Sequence, residues 1–534
     1  MAQGNGGTFM TIETTLSGFC TMPSGKTRFA PLLLLCLLAG PVHAFGFGDV
    51  VKKARTLAES QYQAPPAIPA FLKNLPYEDY QKIRFRPEES LWQQGKSRFQ
   101  IMMMPAGQYY TYPVALNQVD LQGSHPITFD KSVFNYPDQA LAKRIPADLG
   151  YAGFKLTYPL EGPGIRNQFL VFGGASYFRG VARDQRFGLS ARGIAVDTGL
   201  SSGEEFPGFV EFWLERPAAN SDHMRLYGLL DGPSVTGAYR FDVFPGDTTR
   251  IDVTAELFFR NDIEQLGLAP LTSMFYYGEN SVRPFGEWRP QVHDSDGLLI
   301  HDGKTGEWLW RPLINPTNLK LSYHHVPQVS GFGLIQRDTA FHQFQDSEAG
   351  YQQRPSAWVK AKGDWGPGKV VLVEIPTDAE TNDNIVAFWK PDQAIQAGKQ
   401  YRLEYSLSFG GPSVAGHPGG QAANTFIGDG DRIGGGETEG AYRIIVDFAG
   451  GELGELPADA AVVSKVSGGE SVEVLEHFVE YVPESGHWRL SMLARPAPQA
   501  TMELRAYLEL KGKVLTETWS YSLPPGTGLR ANQR

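Results

Sequence analysis

Carboxylate, arginine and tryptophan side chains occur together in three segments of the chain. These segments are "SGEEFPGFVEFWLERP", "HDSDGLLIHDGKTGEWLWRPL" and "RPSAWVKAKGDWGPG". Aromatic faces stack on sugar rings, and acids and arginines bond sugar hydroxyls, so the combination is typical of an oligosaccharide groove. Paired carboxylates are also the general acid and base of glycoside hydrolysis. The alternative is that the tryptophans form strand core and the acids belong to turns, because aromatic strands are mostly buried.

In a fourth segment, "AETNDNIVAFW", Asp383 stands between two asparagines, and an apolar run follows them. Asn and Asp side chains bond readily to nearby backbone, and the run from Ile385 to Trp389 has the composition of a strand. The segment therefore predicts a turn that leads into a buried strand. The same turn could present Asp383 as a reactive acid, and the local residues leave both interpretations open.

Three other motifs are weaker. "GDGDRIGGG" lacks the flanking strand and helix of a phosphate loop and the terminal Glu of a calcium loop, so it indicates a flexible connection. "GLSARG" is one residue too long for a nucleophile elbow, so Ser190 is not expected to be a nucleophile. The 11 histidines show no HExxH-like spacing. The sequence therefore predicts neither a metal nor another cofactor.

Composition describes an ordinary globular protein that is rich in strands. A length of 534 residues predicts two or three domains. The 32 Phe, 22 Tyr, 60 Gly and 37 Pro indicate many strands joined by turns. A net charge of −10 argues against a nucleic-acid partner.

The amino-terminal residues have the features of an export signal. Lys26 and Arg28 precede an apolar run, and "VHA" ending at Ala44 offers a cleavage site. The run is short for a membrane span, although an uncleaved anchor is the alternative. Residues 1–21 read as an extension from a mis-chosen start, and the lack of a twin-Arg pair predicts Sec-type export to the periplasm. Cys20 and Cys36 both precede the expected cleavage, so the mature chain should contain no cysteine.

The mature chain is predicted to open with an amphipathic helix and then to continue as strands. Asp49 could cap this helix, with Val50, Ala54, Leu57 and Tyr62 on one face. A short helix is expected at 77–83. The runs "VEFWLERP", "RIDVTAELFFR" and "YRLEYSLSFG" alternate with period two, which is typical of β-sandwiches.

A change of composition near residue 410 predicts the domain boundary. The segment 413–440 is rich in Gly, Pro and small polar residues, which predicts a linker. It would separate a large domain over 45–412 from a second β region over 441–525. The length of that second region fits a seven-stranded, immunoglobulin-like sandwich.

Many long strings of the sequence match one known family. They include "DLGYAGFKLTYPL", "GASYFRG", "FGLSARGIAVDTG", "LYGLLDGPSVTGAYRF", "HDSDGLLIHDG", "VEIPTDAETNDNIVAFW" and "ETWSYSLP". The chain therefore resembles the periplasmic glucans biosynthesis proteins G and D (OpgG/MdoG and OpgD/MdoD) along nearly the whole mature length. Its simple apolar signal resembles that of the G members.

The resemblance implies a mainly β fold. A large N-terminal β-sandwich of the galactose mutarotase-like kind would be joined to a small C-terminal immunoglobulin-like sandwich. It also implies a role in making osmoregulated periplasmic glucans, whose β-1,2-linked glucose backbone comes from a membrane glucosyltransferase. The implied partners are β-1,2-glucan chains and that glucosyltransferase. A homodimer is compatible with the resemblance.

The resemblance further implies inverting, endo-acting hydrolysis of β-1,2-glucan by two aspartates. Carried over by motif, the general acid is Asp383 and the general base is Asp294. An acid must stay protonated near neutral pH, and an apolar strand with Glu380 beside Asp383 would favour that. Further groove residues, chosen by motif and chemical type, are Tyr177, Arg192, Glu205, Trp308, Arg354, Trp358 and Trp389.

Two other functions stay open at this point. A non-catalytic glucan-binding or scaffolding factor would assist the glucosyltransferase and would need an aromatic groove but not Asp383. A branching transglycosylase would give branched products that increase with acceptor concentration.

Overall fold

The computed structural model describes residues 45–430 and 438–525. The predicted signal peptide over 1–44 and part of the predicted linker, 431–437, lie outside the described residues. In the described ranges, no helix is both long and apolar enough to cross a membrane. The α-helices of these ranges, α1 to α5, are Phe47–Ala58, Ala70–Lys73, Tyr77–Gln81, Gln139–Arg144 and Phe341–Phe344.

Strands dominate the rest, so the prediction of a mainly β protein is confirmed. Strands β1 to β11 are Arg84–Phe85, Gln100–Met104, Ala115–Asp120, Gly123–Pro126, Phe134–Asn135, Gly153–Tyr158, Asn167–Gly173, Tyr177–Gly180, Ser190–Arg192, Ile194–Val196 and Gly208–Glu215. Strands β12 to β22 are Met224–Asp231, Val235–Phe244, Thr249–Phe259, Leu266–Ser273, Phe275–Tyr277, Val292–His293, Gly297–Asp302, Trp308–Pro312, Lys320–Val326, Val329–Ile335 and Ser356–Ala361. Strands β23 to β33 are Gly368–Glu374, Ile385–Pro391, Gln400–Gly410, Gln421–Asp429, Tyr442–Ala449, Val463–Gly468, Val472–Val482, His487–Pro496, Met502–Leu510, Lys513–Val514 and Thr518–Leu523.

Three large sheets organise these strands. One has the order β28-β31-β33-β19-β18-β21-β22-β25-β14-β13-β12-β11-β3-β4, with β32 beside β31. A second has the order β2-β6-β7-β8-β9-β15-β24-β23-β20, with β10 beside β15. The third is β26-β27-β30-β29. The two larger sheets share one apolar core, which holds most buried side chains before residue 410.

The alternating runs predicted as strands are confirmed in β14 and β25. These two strands pair antiparallel, with Ile251 opposite Leu407 and Val253 opposite Tyr405. All four side chains are buried in the shared core, while polar residues between them face outward. Period-two patterning therefore located both strands and the face of each that packs inward.

The predicted first helix is confirmed, but its cap is not. Helix α1 begins at Phe47 and buries Val50 and Ala54. The N-cap is Gly46, whose N–H donates to the Asp49 carboxylate (2.8 Å) from within the first turn. Asp49 therefore closes a capping interaction from inside the helix instead of preceding it.

The predicted linker is wrong in its central part. Strand β26 lies within it and pairs with β27, with Thr425 opposite Val446. Ala422 and Thr425 are buried there. The strand "QAANTFIGD" was not predicted because the glycines on either side of it dominate the composition of the segment.

The carboxyl-terminal strands form a small sandwich that is joined to the large sheet. The sheet β26-β27-β30-β29 packs across an apolar core against β28, β31 and β33. Strand β33 pairs in parallel with β19, with Trp519 beside Trp310. Arg337 adds a bidentate ion pair to buried Glu517 (2.7 and 2.9 Å). The immunoglobulin-like topology and the domain division at 412 stay predictions.

Candidate active site

Asp294 lies directly after β17 and is buried, with 7% of its surface exposed. Its backbone N–H donates to the Met274 carbonyl (2.8 Å). Arg354 is its counter-ion, with 3.5 Å between Nε and Oδ1, and Oδ1 accepts no hydrogen bond from the described residues. Burial raises the pKa of Asp294 to about 6, against the lowering effect of Arg354, and the charge of Asp383 raises it as well. Such a carboxylate is mostly ionised at neutral pH and is a stronger base than free aspartate.

Asp383 stands in the turn before β24, and 37% of its side chain is exposed. Its Oδ2 lies 3.6 Å from Nη2 of Arg179. The sequence predicted a partly dry carboxyl beside Glu380; the side chain is only partly covered, and an influence of Glu380 on it stays a prediction. Glu380 bonds Arg289 (2.6 Å). The desolvated carboxyl of the pair is Asp294.

One short stretch of backbone, Met274 and the first residue of β16, Phe275, holds both aspartate segments. The Met274 carbonyl receives the N–H of Asp294. The N–H of the next residue, Phe275, donates to Oδ1 of Asn384 (2.8 Å), whose Nδ2 donates back to the Phe275 carbonyl (3.0 Å). Asn384 is buried and directly follows Asp383. The relative position of the two carboxyl groups is therefore set by hydrogen bonds to two consecutive residues.

Replacing Asn384 by Ala is expected to lower the free energy of unfolding by about 3 kcal/mol. The change removes the two bonds to Phe275 and a third to the Ile375 carbonyl, and it leaves a buried N–H without a partner. Urea denaturation followed by tryptophan fluorescence measures the loss. Asn382→Ala, in the same turn but exposed, is the matched control and should cost less than about 0.5 kcal/mol. Equal losses in the two variants would contradict this account.

Tyr177 lies within electrostatic reach of Asp383. It begins β8, is half-buried, and places its ring 4.6 Å from the guanidinium carbon of Arg192. Burial raises the pKa of Tyr177; Arg192 lowers it, and the charges of Glu204 and Asp383 raise it. The structure thus places Arg354 beside Asp294 and Tyr177 near Asp383, and their roles in binding a substrate stay predictions.

Arg192 supports this group instead of being free for a ligand. Only 5% of its surface is exposed. Its Nη1 pairs with Glu204 (2.5 Å), and its Nε donates to Thr272 (2.8 Å). This corrects the prediction of Arg192 as a groove residue. Glu205 accepts the N–H of Ser234 (3.0 Å) through its carboxylate, and its role as a groove residue stays a prediction.

The predicted tryptophans are part of the protein core. Trp389 is fully buried in β24, and Trp358 in β22 is 6% exposed, so neither can offer a ring face to a sugar. Trp308 stacks on His301 (4.0 Å between ring centroids) and on Trp358 (5.6 Å). The prediction that these rings line the groove is wrong for Trp389 and Trp358, and Trp308 is occupied by its own neighbours.

A cavity of about 390 Å³ adjoins Tyr177 and supplies the aromatic surface that the tryptophans do not. Its lining includes Tyr109, Tyr110, Tyr112 and Phe206. Tyr109 is 82% exposed and Phe206 56% exposed. Rings that are open on one side are suitable platforms for sugar stacking.

Arg179 is the residue that sequence reasoning missed. Besides facing Asp383, it donates from Nε to the hydroxyl of buried Ser190 (2.7 Å), which is thereby engaged in the scaffold. Arg179 lies two residues after Tyr177 in β8, and alternate residues of a strand share a face. The motif "GASYFRG" therefore contained the signal.

A second group of polar residues surrounds Glu380 and was also missed. Arg289 bonds both Glu380 (2.6 Å) and Asp346 (3.1 Å), and the Tyr351 hydroxyl donates to Glu380 (3.1 Å). These residues lie outside the regular strands, where no periodicity marks them. The charge of Glu380 still reaches the buried aspartate, because it raises the pKa of Asp294.

Comparison with known proteins identifies the family to which the chain belongs. Residues 45–523 match the family described as "Periplasmic glucan biosynthesis protein, MdoG". The "Glucans biosynthesis protein G" of Ralstonia nicotianae is 42% identical over 505 residues, which cover 93% of this chain and 100% of that protein. A solved galactose mutarotase related enzyme from Lactobacillus acidophilus is 6% identical and covers 45% of this chain and 97% of its own, with a TM-score of 0.21, too low to argue about the fold.

The family match and the relative agree over nearly all of the described residues. The family description places its members in the periplasm and in glucan biosynthesis. The chain belongs to the family of periplasmic glucan biosynthesis proteins, MdoG.

Proposed function

We propose that this protein is an endo-acting, inverting β-1,2-glucanase that processes periplasmic glucan. The observation that carries the proposal is the pair of carboxyl groups tied to one stretch of backbone. Asp294 is buried and Asp383 is open to solvent, and each faces an arginine. Two carboxyl groups in unlike surroundings are what acid–base hydrolysis of a glycoside requires.

The proposed roles are those that the family resemblance implies, and the difference in exposure between the two carboxyl groups does not assign them. Asp383, on the open side, donates its proton to the glycosidic oxygen as the bond to the anomeric carbon breaks. Asp294 takes a proton from a water that attacks that carbon on the opposite face. The products are two shorter glucans, with the new reducing end inverted. Arg179 stabilises the carboxylate that Asp383 becomes, and proton exchange with solvent restores both groups.

The aromatic cavity supports a long substrate. It continues from Tyr177, which lies near Asp383, to Tyr109 and Phe206. A chain of several glucose units could stack there while one linkage lies at the carboxyl pair. This extent favours cleavage within a chain over removal of single terminal units.

Incubation of the purified protein with linear β-1,2-glucan, followed by chromatography, tests the proposal. Short oligosaccharides should be released, and a linear β-1,3-glucan should stay intact. The optical rotation of fresh products should show the inverted anomer before it equilibrates. Release of no oligosaccharide under any condition would contradict the proposal.

The same reaction separates the two alternatives. A binding or scaffolding factor would retain glucan without shortening it. The exposed aromatic rings favour that function as much as they favour cleavage, so product analysis has to decide. A transglycosylase would give branched products in amounts that rise with the concentration of added acceptor.

A further inference from the structure

A small cavity of about 30 Å³ lies apart from the aromatic groove, where the large sheet meets the carboxyl-terminal sandwich. It is lined by Glu279, Gln291, His293, Asp296, Asp338 and Thr425, among others. That volume holds about two or three water-sized particles, since one water needs about 10–15 Å³ by this measure. Its polar lining combines three acidic side chains and one imidazole with several amides and the guanidinium of Arg337.

Three of these residues could share one bound ion. One ligand atom each from His293, Asp296 and Asp338 lie within 4.8 Å of one another. Nε2 of His293 is 3.4 Å from Oδ1 of Asp296. A tetrahedral ion with ligand bonds of about 2.1 Å separates its ligand atoms by about 3.4 Å, which the His293–Asp296 pair already matches, and Asp338 lies near enough to complete the set by a small side-chain adjustment.

The hydrogen-bond network fixes the tautomer of His293, which is fully buried. Its Nδ1 lies 3.0 Å from Oε1 of Gln336. The amide nitrogen of Gln336 is already engaged with the carbonyls of His293 and Tyr351 (3.1 and 3.3 Å). Oε1 of Gln336 is therefore the acceptor, and Nδ1 carries the hydrogen. Metal-bound histidines are held in this way, with the free nitrogen turned to the ion.

Nε2 of His293 then carries no hydrogen, and the oxygen atoms that it faces carry none to donate to it. Oε1 of Gln291 lies 3.1 Å from it, while the amide nitrogen of Gln291 donates to Asp338 (2.5 Å). Turning the Gln291 amide over would set its oxygen against the Asp338 carboxylate and its nitrogen against the N–H of Glu279, which now donates to it (3.3 Å). A buried lone pair thus points at oxygen acceptors.

Hydrogen bonds also hold the carboxylates around the cavity in position. Asp296 accepts the N–H of Asp338 on Oδ2 (3.0 Å), which leaves Oδ1 toward His293. Asp338 is held on its other side by the amide of Gln343. Arg337, the neighbouring cation, is engaged with Glu517 through both terminal nitrogens. Arg337 also lines the cavity, so its charge offsets part of the negative charge of Asp296 and Asp338.

We propose that His293, Asp296 and Asp338 bind one divalent metal ion of the Zn²⁺ class, with Oε1 of Gln291 as a further oxygen ligand. Imidazole together with carboxylate favours such an ion over Ca²⁺, which prefers oxygen alone. The ion takes no part in the proposed hydrolysis. It ties the segment on both sides of Asp294 to the loop after β21, and so it fixes the position of that carboxyl group.

The sequence predicted no metal, and the reason is the arrangement of the ligands. His293 and Asp296 lie three residues apart in a connection between strands, and Asp338 comes from a distant loop. Recognisable metal motifs place their ligands on one helix or in two short clusters. The third ligand is brought to the others only by the fold.

The test uses untagged full-length protein that is stripped with a chelator and dialysed. Titration with Zn²⁺ by calorimetry should show one tight site per chain, and Co²⁺ should give the visible absorption bands of a tetrahedral site. Ca²⁺ should not compete. Asp338→Asn should weaken Zn²⁺ binding at least about 100-fold, with an unchanged circular dichroism spectrum.

Asp302→Asn is the matched control, because Asp302 is also a buried carboxylate but holds only a turn at Lys304 and Thr305. It should bind Zn²⁺ as wild type does. His293→Gln is the second ligand variant and should also weaken Zn²⁺ binding. If it does not fold, the Zn²⁺ affinity of Asp338→Asn alone decides whether these residues are ligands. The proposal is overturned if stripped wild type binds no Zn²⁺, or if Asp338→Asn and Asp302→Asn bind it equally. Binding of Ca²⁺ in place of Zn²⁺ would overturn it as well.

Discussion

Replacing Asp383 by Asn is expected to slow cleavage of β-1,2-glucan by about 10³-fold, within the range of lost general acid catalysis. The amide has the same shape but cannot give a proton to the leaving oxygen. Because the side chain is exposed and faces Arg179 at 3.6 Å, the substitution should leave folding and glucan binding intact. Rates from chromatography of the products and the melting temperature measure the two effects.

The role of Asp383 can be separated from general damage to the site. An aryl glycoside of a short β-1,2-glucan has a leaving group that needs little protonation, so Asp383→Asn should cleave it at a rate close to wild type. Asp378→Asn, in the same turn and exposed, is the matched control and should cleave glucan normally. Cleavage of glucan by Asp383→Asn as fast as by wild type would remove this residue from the reaction.

Replacing Asp294 by Asn is expected to give a loss of similar size, about 10³-fold, for a different reason. The variant cannot take the proton from the attacking water. An aryl leaving group should therefore not restore its rate, whereas added azide, a nucleophile that needs no base, should do so and give a glycosyl azide. The two variants thus distinguish base from acid by opposite responses to the two reagents.

Stability gives an independent check on Asp294. Its Oδ1 is buried and accepts no hydrogen bond from residues 45–430 and 438–525, and a neutral amide removes the cost of burying charge there. The melting temperature of Asp294→Asn should therefore be equal to that of wild type or higher. Asp302→Asn is the control for a buried aspartate outside the site and should keep full activity. Rescue of Asp294→Asn by an aryl leaving group would reverse the proposed roles.

Much of the fold was predictable because it is local. Period-two alternation located β14 and β25, and the helical spacing of Val50 and Ala54 located α1. The pairing of β19 with β33 could not be predicted, since it joins residues two hundred positions apart that carry no mutual signal. The strand β26 was missed because glycines around it outweighed its few buried side chains.

Only part of the candidate site was predictable, because the pattern of a strand does not distinguish every kind of residue. Tyr177, Arg354 and the two aspartates were predicted by motif, whereas Arg179 was missed although alternation in β8 places it on the same face as Tyr177. Alternation cannot tell a core tryptophan from one that faces a ligand, because both lie on an apolar face. The difference depends on the sheet opposite, which covers Trp389 completely.

The parallel pairing of β19 with β33 means that the carboxyl-terminal sandwich is not a detachable module. Removing it would turn β19 into an open edge with unpaired N–H and carbonyl groups. It would also expose Trp310 and Leu299, which are buried in the core that the two parts share. A truncated large domain should therefore self-associate through this edge and this patch, and tests of glucan processing require the whole chain.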